Sequence, residues 1–225
     1  MEIDPSSGIR VIMGNMPRPT DAYRGLMQSS RLRVLAALMD SPGIGLAELS
    51  LRMGLHVNTL RDHLRVLEGE GLARSEVEHT GRRGRPRLRF SPVLPSEPNE
   101  IEERRVQEAI RHGDLMRAVL PATRSGLPEA ATHQLDALFH HLDDVGLQPD
   151  IDEKAMTVDL SPCRFHTLLT DDQTVVCRVH EELMKSVLAR AGGPVEIERV
   201  IPFTSAHSCH VRLSLREESA SDVGR

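Results

Sequence analysis

The chain has 225 residues, of which 39% are hydrophobic and 27% charged, and a net charge of −5 with histidines neutral. This is the composition of a soluble protein with room for one large or two small domains. No apolar run approaches the ~20 residues that a membrane-spanning helix needs, and the acidic start of the sequence does not have the form of a secretory signal. These features predict a cytoplasmic protein with no membrane partner.

Positive charge is concentrated in the first half of the chain. Residues 21–95 contain twelve arginines against eight acidic residues, a net charge of +4, which leaves −9 for the remainder. A basic module is therefore joined to an acidic one, and the basic module is the candidate for contact with nucleic acid.

Three helices are predicted after a short N-terminal arm. Residues 1–20 contain three prolines without periodicity, which indicates a flexible arm. Apolar residues recur at helical spacing over residues 22–39, and over a shorter stretch that ends at Gly54. The third helix is predicted from about Val57 to Glu70, with one apolar stripe along it. Gly71 ends this helix, at a position that often requires a positive φ.

A basic hairpin is predicted next. Two strand-like segments, Ala73–His79 and Arg87–Val93, are joined by residues 80–86, which are rich in glycine and arginine. Helix, helix, turn, helix and basic hairpin in this order are typical of a winged helix-turn-helix that binds DNA. We therefore predict such a domain over residues 21–95.

The third helix and the hairpin supply the candidate DNA contacts. If the apolar stripe packs inward, the outer face carries asparagine and arginine, which can contact adenine and guanine with two hydrogen bonds each. Hairpin arginines suit phosphates, and one near the tip suits the minor groove. The predicted contacts are Asn58, Thr59, Arg61, Asp62, Arg65, Arg82, Arg83, Arg85 and Arg87, with Arg89 as a further candidate. His56 stands where serine or threonine is usual, so a weak N-cap is expected. The alternative is a generic helical bundle with a solvated arginine-rich loop.

The second half of the chain predicts linking helices and a small mixed domain. Residues 94–99 have the composition of a linker, and helical patterns over 101–120 and 129–145 predict linking helices within residues 100–148. The first is the candidate dimerisation helix, unless it is only a spacer packed on its own domain. A small domain with the order strand, helix, strand, strand is predicted over residues 150–216. Its four segments, in that order, are Lys154–Leu160, Thr174–Ala191, Val195–Ile201 and His210–Leu215. The chain is thus assigned to the α+β class.

Three cysteines lie in this C-terminal domain. An odd number of cysteines without an export signal argues against structural disulfides. Cys177 and His180 are three residues apart in a predicted helix, so they share a face and can bind one ion. With Cys163 and Cys209 they form a candidate set of soft ligands, which favour zinc or an iron–sulfur centre. The alternative is that the cysteines only fill space, since the segments are separated and no CxxC pair is present.

The N-terminal half resembles a known family. The stretch LAELSLRMGLHVNTLRDHLRVLEGEGLARSEVEHTGRRGRPRLRFSP is similar to winged-helix regulators of the ArsR/DeoR-like group. Its GRPR wing resembles that of the SufR-type iron–sulfur-sensing repressors. The resemblance implies a repressor that binds a palindromic DNA operator as a homodimer.

The stretch SPCRFHTLLTDDQTVVCRVHEELMKSVLARAGGPVEIERVIPFTSAHSCHVRL is similar to the sensor region of the same family. There, cysteines hold an iron–sulfur cluster whose state changes operator binding. Cys163, Cys177 and Cys209 fall at the family's cysteine positions, and His180 at a histidine found in some relatives. The sequence departs from the family where Arg164 replaces a proline, and where Ser208 replaces the second cysteine of many relatives. Three thiolates leave a cluster one protein ligand short, so His180 or an external ligand completes it, whereas the same set suits tetrahedral zinc without a missing ligand.

Two further functions are weighed against a metal-sensing or cluster-sensing regulator. One is a metal-free regulator whose C-terminal domain binds a small organic effector or serves dimerisation only. The other is an enzyme with Cys177 as nucleophile and His180 as base, which would need an oxyanion-binding turn. Because no such turn, glycine-rich loop or paired carboxylate motif accompanies Cys177 and His180, we expect no enzymatic activity.

Overall fold

The computed structural model describes residues 26, 28–78, 87–120, 125–160, 163, 173–202 and 208–216. The predicted arm, residues 1–20, lies outside these ranges. The described residues combine helices with antiparallel sheets, as predicted for an α+β protein. No helix in the described part of the chain is long and apolar enough to cross a membrane.

The elements follow one another as α1 (Ser29–Asp40), β1 (Ile44–Gly45), α2 (Leu46–Met53), α3 (Val57–Gly69), β2 (Ala73–Glu78), β3 (Arg87–Pro92), α4 (Glu100–Val119), α5 (Glu129–Asp144), β4 (Asp150–Asp152), β5 (Thr157–Asp159), α6 (Gln173–Ala191), β6 (Val195–Pro202) and β7 (Cys209–Leu215). They form two compact units, and the division falls within α4 and within α6. The three-stranded unit holds α1 to β3, the segment up to Glu102, and α6 up to Leu183. The four-stranded unit holds α4 from Glu103, α5, β4, β5, α6 from Met184, β6 and β7.

Leucines from α1 and α3 form the core of the three-stranded unit. In each helix they recur every three or four residues, so they line one side, and the two helices pack against each other there. The buried leucines are Leu32, Leu35 and Leu38 of α1, and Leu60, Leu64 and Leu67 of α3. Full burial of such a side chain contributes about 1.5 to 3 kcal/mol. The inward-facing stripe predicted for α3 is therefore confirmed at its leucines, and Val57 is half-buried.

The first helix begins at Ser29, and residues 22–25 and 27 of the predicted 22–39 lie outside the described residues. Gln28 has an extended backbone, with φ −106° and ψ 124°. The backbone N–H of Arg31 donates to the Gln28 carbonyl at 3.0 Å, which marks the first helical turn.

The sheet of this unit has the strand order β1-β3-β2, with antiparallel pairing throughout. The hairpin of β2 and β3 was expected, but β1 was not, because two residues are too few to produce an alternating pattern. Ile44 pairs with Phe90, and both side chains are buried. The turn before β1 is held by the N–H of Gly43, which donates to the Phe90 carbonyl at 2.9 Å. β1 thus fastens the hairpin to the helices.

The end of α3 has the geometry that the sequence predicts. Gly71 has a φ of +74°, a left-handed conformation that glycine adopts without steric cost. Its N–H donates to the Glu68 carbonyl at 3.0 Å, and the N–H of Leu72 donates to the Leu67 carbonyl at 2.8 Å. These two bonds satisfy carbonyls that the helix end leaves open.

The predicted linker after the hairpin is tied to the three-stranded unit. Buried Asn99 donates from Nδ2 to the Gly71 carbonyl at 2.8 Å, and its Oδ1 accepts from the N–H of Glu102 at 3.2 Å. Arg74 of β2 donates to Glu97 through Nη2 at 2.9 Å and through Nε at 3.3 Å. Asn99 therefore caps the start of α4, a role that a linker composition does not reveal.

The four-stranded unit packs three helices together and carries an antiparallel sheet in the order β4-β5-β7-β6. Val106 and Ala109 of α4, Ala137 of α5 and Val187 of α6 form one cluster. Further along α4, Leu115 and Val119 are 60% and 65% exposed. In this unit, the part of α4 around Val106 and Ala109 therefore packs in the core, and the C-terminal end of α4 exposes apolar side chains to solvent.

The strand predicted over Lys154–Leu160 is wrong at its start. Asp152 accepts hydrogen bonds from the N–H groups of Lys154 and Ala155, both at 2.9 Å, and this closes a turn between β4 and β5. Met156, with a φ of +51°, completes the turn. The result is a hairpin of two three-residue strands where one strand was expected.

Candidate nucleic-acid interface

The outer face of α3 is polar and open to solvent. Because the buried leucines lie on one side of the helix, the positions between them face the other way. Asn58, Thr59, Arg61, Asp62 and Arg65 are all exposed. Their predicted outward placement is therefore confirmed, and their contact with DNA stays a prediction.

Side chains on this face form two short hydrogen-bonded pairs along the helix. Arg61 donates from Nη1 to Oδ1 of Asn58 at 3.1 Å, and Arg65 donates from Nη1 to Oδ1 of Asp62 at 3.1 Å. The Arg65 and Asp62 side chains are 78% and 72% exposed, and pairs in such surroundings contribute at most about 1 kcal/mol. Both arginines can therefore exchange these partners for base edges or phosphates at little cost.

The turn before α3 positions its first residues. Gly54 adopts a left-handed backbone at the end of α2, and Ser50 donates from its hydroxyl to the Leu55 carbonyl at 2.6 Å. His56 is the N-cap residue, and its Nδ1 accepts from the N–H of Asn58 at 3.3 Å. This long bond agrees with the weak cap expected from a histidine here, and it requires the tautomer that carries its proton on Nε2.

The hairpin after α3 carries the remaining candidates. Arg82, Arg83 and Arg85 lie outside the described residues. Arg87 is exposed and lies opposite Glu78 in the β2–β3 register. Arg89 instead donates to Glu78 at 2.7 Å and to the Gly43 carbonyl at 3.3 Å. Hydrogen bonding to Arg89 lowers the pKa of Glu78, so both groups are charged at neutral pH.

Arg89 and Glu78 form a contact that the sequence analysis missed. Arg89 was weighed only as a candidate for phosphate, but its guanidinium is used within the protein to tie the hairpin to the turn before β1. The available signal was opposite charges at diagonal positions of two paired strands, since Glu78 faces Arg87 and Glu76 faces Arg89, and diagonal neighbours lie within reach of long side chains. It could be read only with the strand register in hand.

The cysteine candidates are divided between the two units. Cys177 and His180 lie three residues apart on the part of α6 that belongs to the three-stranded unit, whereas Cys163 and Cys209 belong to the four-stranded unit. The three cysteines are unbridged, and Cys209 is buried while the other two are half-buried. Within the described ranges, no group of three or more histidines, cysteines and acidic residues is placed to hold a metal ion. The four-residue ligand set therefore stays a prediction.

The donor chemistry of these residues fits a soft metal. Burial lowers the pKa of His180 to about 4, so its imidazole is neutral at pH 7. Neutral imidazole is the form that binds metals, and the thiolates of unbridged cysteines suit zinc and iron–sulfur centres. The residue types present are therefore compatible with either group.

Comparison with known proteins returns no relative. No protein-family model matches the chain, and neither a curated protein nor a solved structure matches it. The function is therefore inferred from the chain's own residues and geometry, together with the sequence resemblance given above.

Proposed function

We propose that the protein is a DNA-binding transcriptional regulator, and by its resemblance a repressor, in which α1, α2, α3, β2 and β3 form a winged helix-turn-helix. The observation that carries the proposal is α3, which buries leucines on one side and exposes asparagine, threonine and arginine on the other. An antiparallel hairpin with an arginine-rich connection follows it directly. A regulator of this kind acts in the cytoplasm, in contact with the chromosome.

In this proposal α3 enters the major groove. Asn58 and Arg61 read adenine and guanine edges, and Arg65 approaches a phosphate or a second base. Arginines of the hairpin connection contact phosphates beside the groove, and one of them enters the minor groove. Arg89 supports this arrangement, because it bonds Glu78 within the hairpin and also donates to the Gly43 carbonyl in the turn before β1.

A palindromic operator requires a homodimer, and α4 is the proposed dimerisation helix. Leu115 and Val119 are one helical turn apart and both are exposed, so they form a small apolar patch on one side of a charged helix. Burying this pair against a second copy would remove it from water. The two recognition helices would then lie ~34 Å apart, on successive major grooves.

The C-terminal cysteines are the proposed sensing residues. Cys163, Cys177, His180 and Cys209 would hold an iron–sulfur cluster or, as the alternative, a zinc ion. A bound cluster supplies redox chemistry and zinc supplies a structural cross-link. The chain's own residues would provide thiolate and neutral imidazole donors, and the proposal assigns no catalytic residue.

A metal-free regulator with a small organic effector is the second candidate, and one observation favours it. An open pocket of about 200 Å³ in the four-stranded unit is lined by Asp114, Arg117, Ser125, Glu129, Thr132 and His133. Arg117 is held there by Asp136 at 2.7 Å and 2.8 Å and by Asp114 at 2.8 Å. A pocket smaller than usual sites for drug-sized ligands would suit only a small polar molecule.

The proposal is tested by the salt dependence of DNA binding. Fluorescence anisotropy with labelled duplexes is measured between about 50 and 200 mM salt for the full chain and for a variant with Arg82→Ala, Arg83→Ala and Arg85→Ala. If these arginines neutralise phosphates, the slope of log K against log salt becomes smaller by about 0.9 for each phosphate that the variant no longer neutralises. Arg212→Ala, which removes an exposed arginine of β7 in the other unit, is the matched control. No binding at the lowest salt, or an identical slope in the triple variant, would contradict the proposed interface.

The cofactor is tested separately, by an absorption spectrum with iron, sulfide and zinc analysis of anaerobically purified protein. A brown sample that loses its visible absorption in Cys177→Ser supports the cluster. About one zinc per chain in a colourless sample supports zinc. Metal-free protein that also fails cluster reconstitution would leave the metal-free regulator.

A further inference from the structure

Three elements of the three-stranded unit meet at one carboxylate, that of Asp40 at the end of α1. Arg178 of α6 donates from Nη1 to Oδ1 of Asp40 at 2.7 Å, and Nη2 of Arg52 on α2 lies 3.6 Å from Oδ2. Arg52 also donates from Nη1 to the Ser41 hydroxyl at 2.7 Å. Asp40 therefore links the start of α6 to the ends of α1 and α2.

Arg178, which forms this link, lies beside the candidate ligand Cys177 on α6. Arg178 directly follows Cys177 and precedes His180 by two residues. Val176 and Val179 on either side are buried, while Arg178 is exposed and reaches Asp40. Cys177 and Arg178 lie on the same helical turn. A movement of this turn therefore also moves the Arg178 guanidinium, which donates a hydrogen bond to Asp40.

Asp40 is ionised at neutral pH, since hydrogen bonding to Arg178 lowers its pKa. The carboxylate can thus hold both arginines at once. α2 in turn packs on α3, and its last turn leads through Gly54 into the capped start of α3. Contacts therefore lead from Arg178, the neighbour of Cys177 in the chain, through Asp40 and Arg52 to α2 and to the helix that is proposed to read DNA.

We propose that Asp40 is a positioning residue that couples the state of Cys177 to α2 and to the start of α3. The proposal rests on the proposed function for its biological meaning, but the coupling itself does not require DNA. Modification or ligation of Cys177 displaces the first turns of α6, weakens the Arg178–Asp40 pair and frees Arg52 and the end of α2. Because coupling is reciprocal, a ligand that orders α2 and α3 must also protect Cys177.

The strength of the coupling through Asp40 is limited by the solvent exposure of the three charged side chains. The side chains of Arg178, Arg52 and Asp40 are 47%, 45% and 37% exposed, and ion pairs in such surroundings change an equilibrium by up to about fivefold. The coupling therefore adjusts an equilibrium rather than acting as an all-or-none switch.

The first measurement is the rate at which iodoacetamide alkylates Cys177 in the full-length chain. Cys163 and Cys209 are replaced by serine so that Cys177 is the one thiol. Asp40→Asn and Arg178→Gln each remove the pair, and Cys177 is expected to react up to about fivefold faster because the start of α6 opens more often. Glu196→Gln is the matched control, since it removes an exposed ion pair with Arg216, 3.2 Å long, in the other unit.

The second measurement is hydrogen exchange of the α2 amides before and after alkylation of Cys177. Faster exchange after alkylation is expected with Asp40 present and is expected to disappear in Asp40→Asn. Unchanged Cys177 rates in Asp40→Asn and Arg178→Gln, or α2 exchange that does not respond to alkylation, would overturn the coupling whether or not the protein binds DNA. Coupling that is present in a protein without affinity for duplex DNA would instead overturn the proposed function alone.

Discussion

Replacement of Arg61 by alanine tests whether α3 reads a DNA sequence. The Arg61 side chain is exposed, and its hydrogen bond to Asn58, 3.1 Å long, is an exposed contact within one helical turn. Loss of such a contact changes folding stability by no more than about 0.5 kcal/mol. A bidentate contact between arginine and guanine is worth about 1–3 kcal/mol of discrimination, which corresponds to a factor of about 5 to 150 in Kd. The substitution should therefore separate recognition from folding.

The assay compares two labelled duplexes of equal length, one recovered by in vitro selection with the full chain and one with the same bases scrambled. Fluorescence anisotropy at one fixed salt concentration gives Kd for each, because salt alone changes such affinities strongly. Urea unfolding of the same samples checks stability. The expected result is a loss of affinity for the selected duplex only, with stability unchanged. Arg212→Ala removes the same charge from an exposed position on β7 and should leave the ratio of the two Kd values unaltered.

Two results would refute the reasoning. Equal losses on both duplexes would mean that Arg61 touches only phosphate, and no loss on either would remove α3 as the reading helix. A large fall in stability would mean that the exposed pair with Asn58 supports the fold more than its geometry indicates.

Three further predictions follow from single contacts. Asp62→Asn removes an exposed anion from the proposed DNA face. If Asp62 acts only by repelling phosphates, duplex affinity in anisotropy should rise about two- to fivefold at low salt and converge at high salt; lower affinity would refute this and would mean that Asp62 accepts a hydrogen bond from a base. Gly71→Ala places a Cβ on a residue with a φ of +74°, 2.7 Å from Oδ1 of buried Asn99. The free energy of unfolding measured in urea should fall by about 2–4 kcal/mol. Unchanged stability would refute the tight contact. Hydrogen bonding to Arg178 keeps the pKa of Asp40 below 3.8, so the pair's small contribution to stability is complete above that pH and is lost as pH falls through the lowered value. In a carboxyl NMR titration, Arg178→Gln should return this pKa towards 3.8, and an unmoved pKa would speak against the pair.

Local patterns in the sequence were enough to define α3 and its two faces. The leucine spacing alone predicted which side of the helix is buried, because a period of 3.6 residues maps sequence positions directly onto faces. Gly71 was predicted as the end of α3 for a similarly local reason, since its left-handed conformation depends on its own backbone and two neighbouring hydrogen bonds. The five outward residues of α3 follow from the same periodicity.

Contacts between distant segments could not be predicted in this way. The Arg89–Glu78 pair needs the strand register, the cap that Asn99 provides needs the path of the chain after the hairpin, and β1 is too short to leave a pattern. The turn at Asp152 replaced half of an expected strand because a side-chain oxygen captured two backbone N–H groups.

The sequence by itself determined the α+β class, the order of the helices and of the hairpin strands in the basic half apart from β1, and the outward face of α3. Each of these depends on residues within one or two helical turns or on alternation along one strand. Tertiary structure alone decided that α6, which carries Cys177 and His180, reaches Asp40 and contributes to the unit that contains α3. The reason is physical: Arg178 and Asp40 are 138 positions apart, and no local periodicity records a contact that forms only when the chain has closed so long a loop.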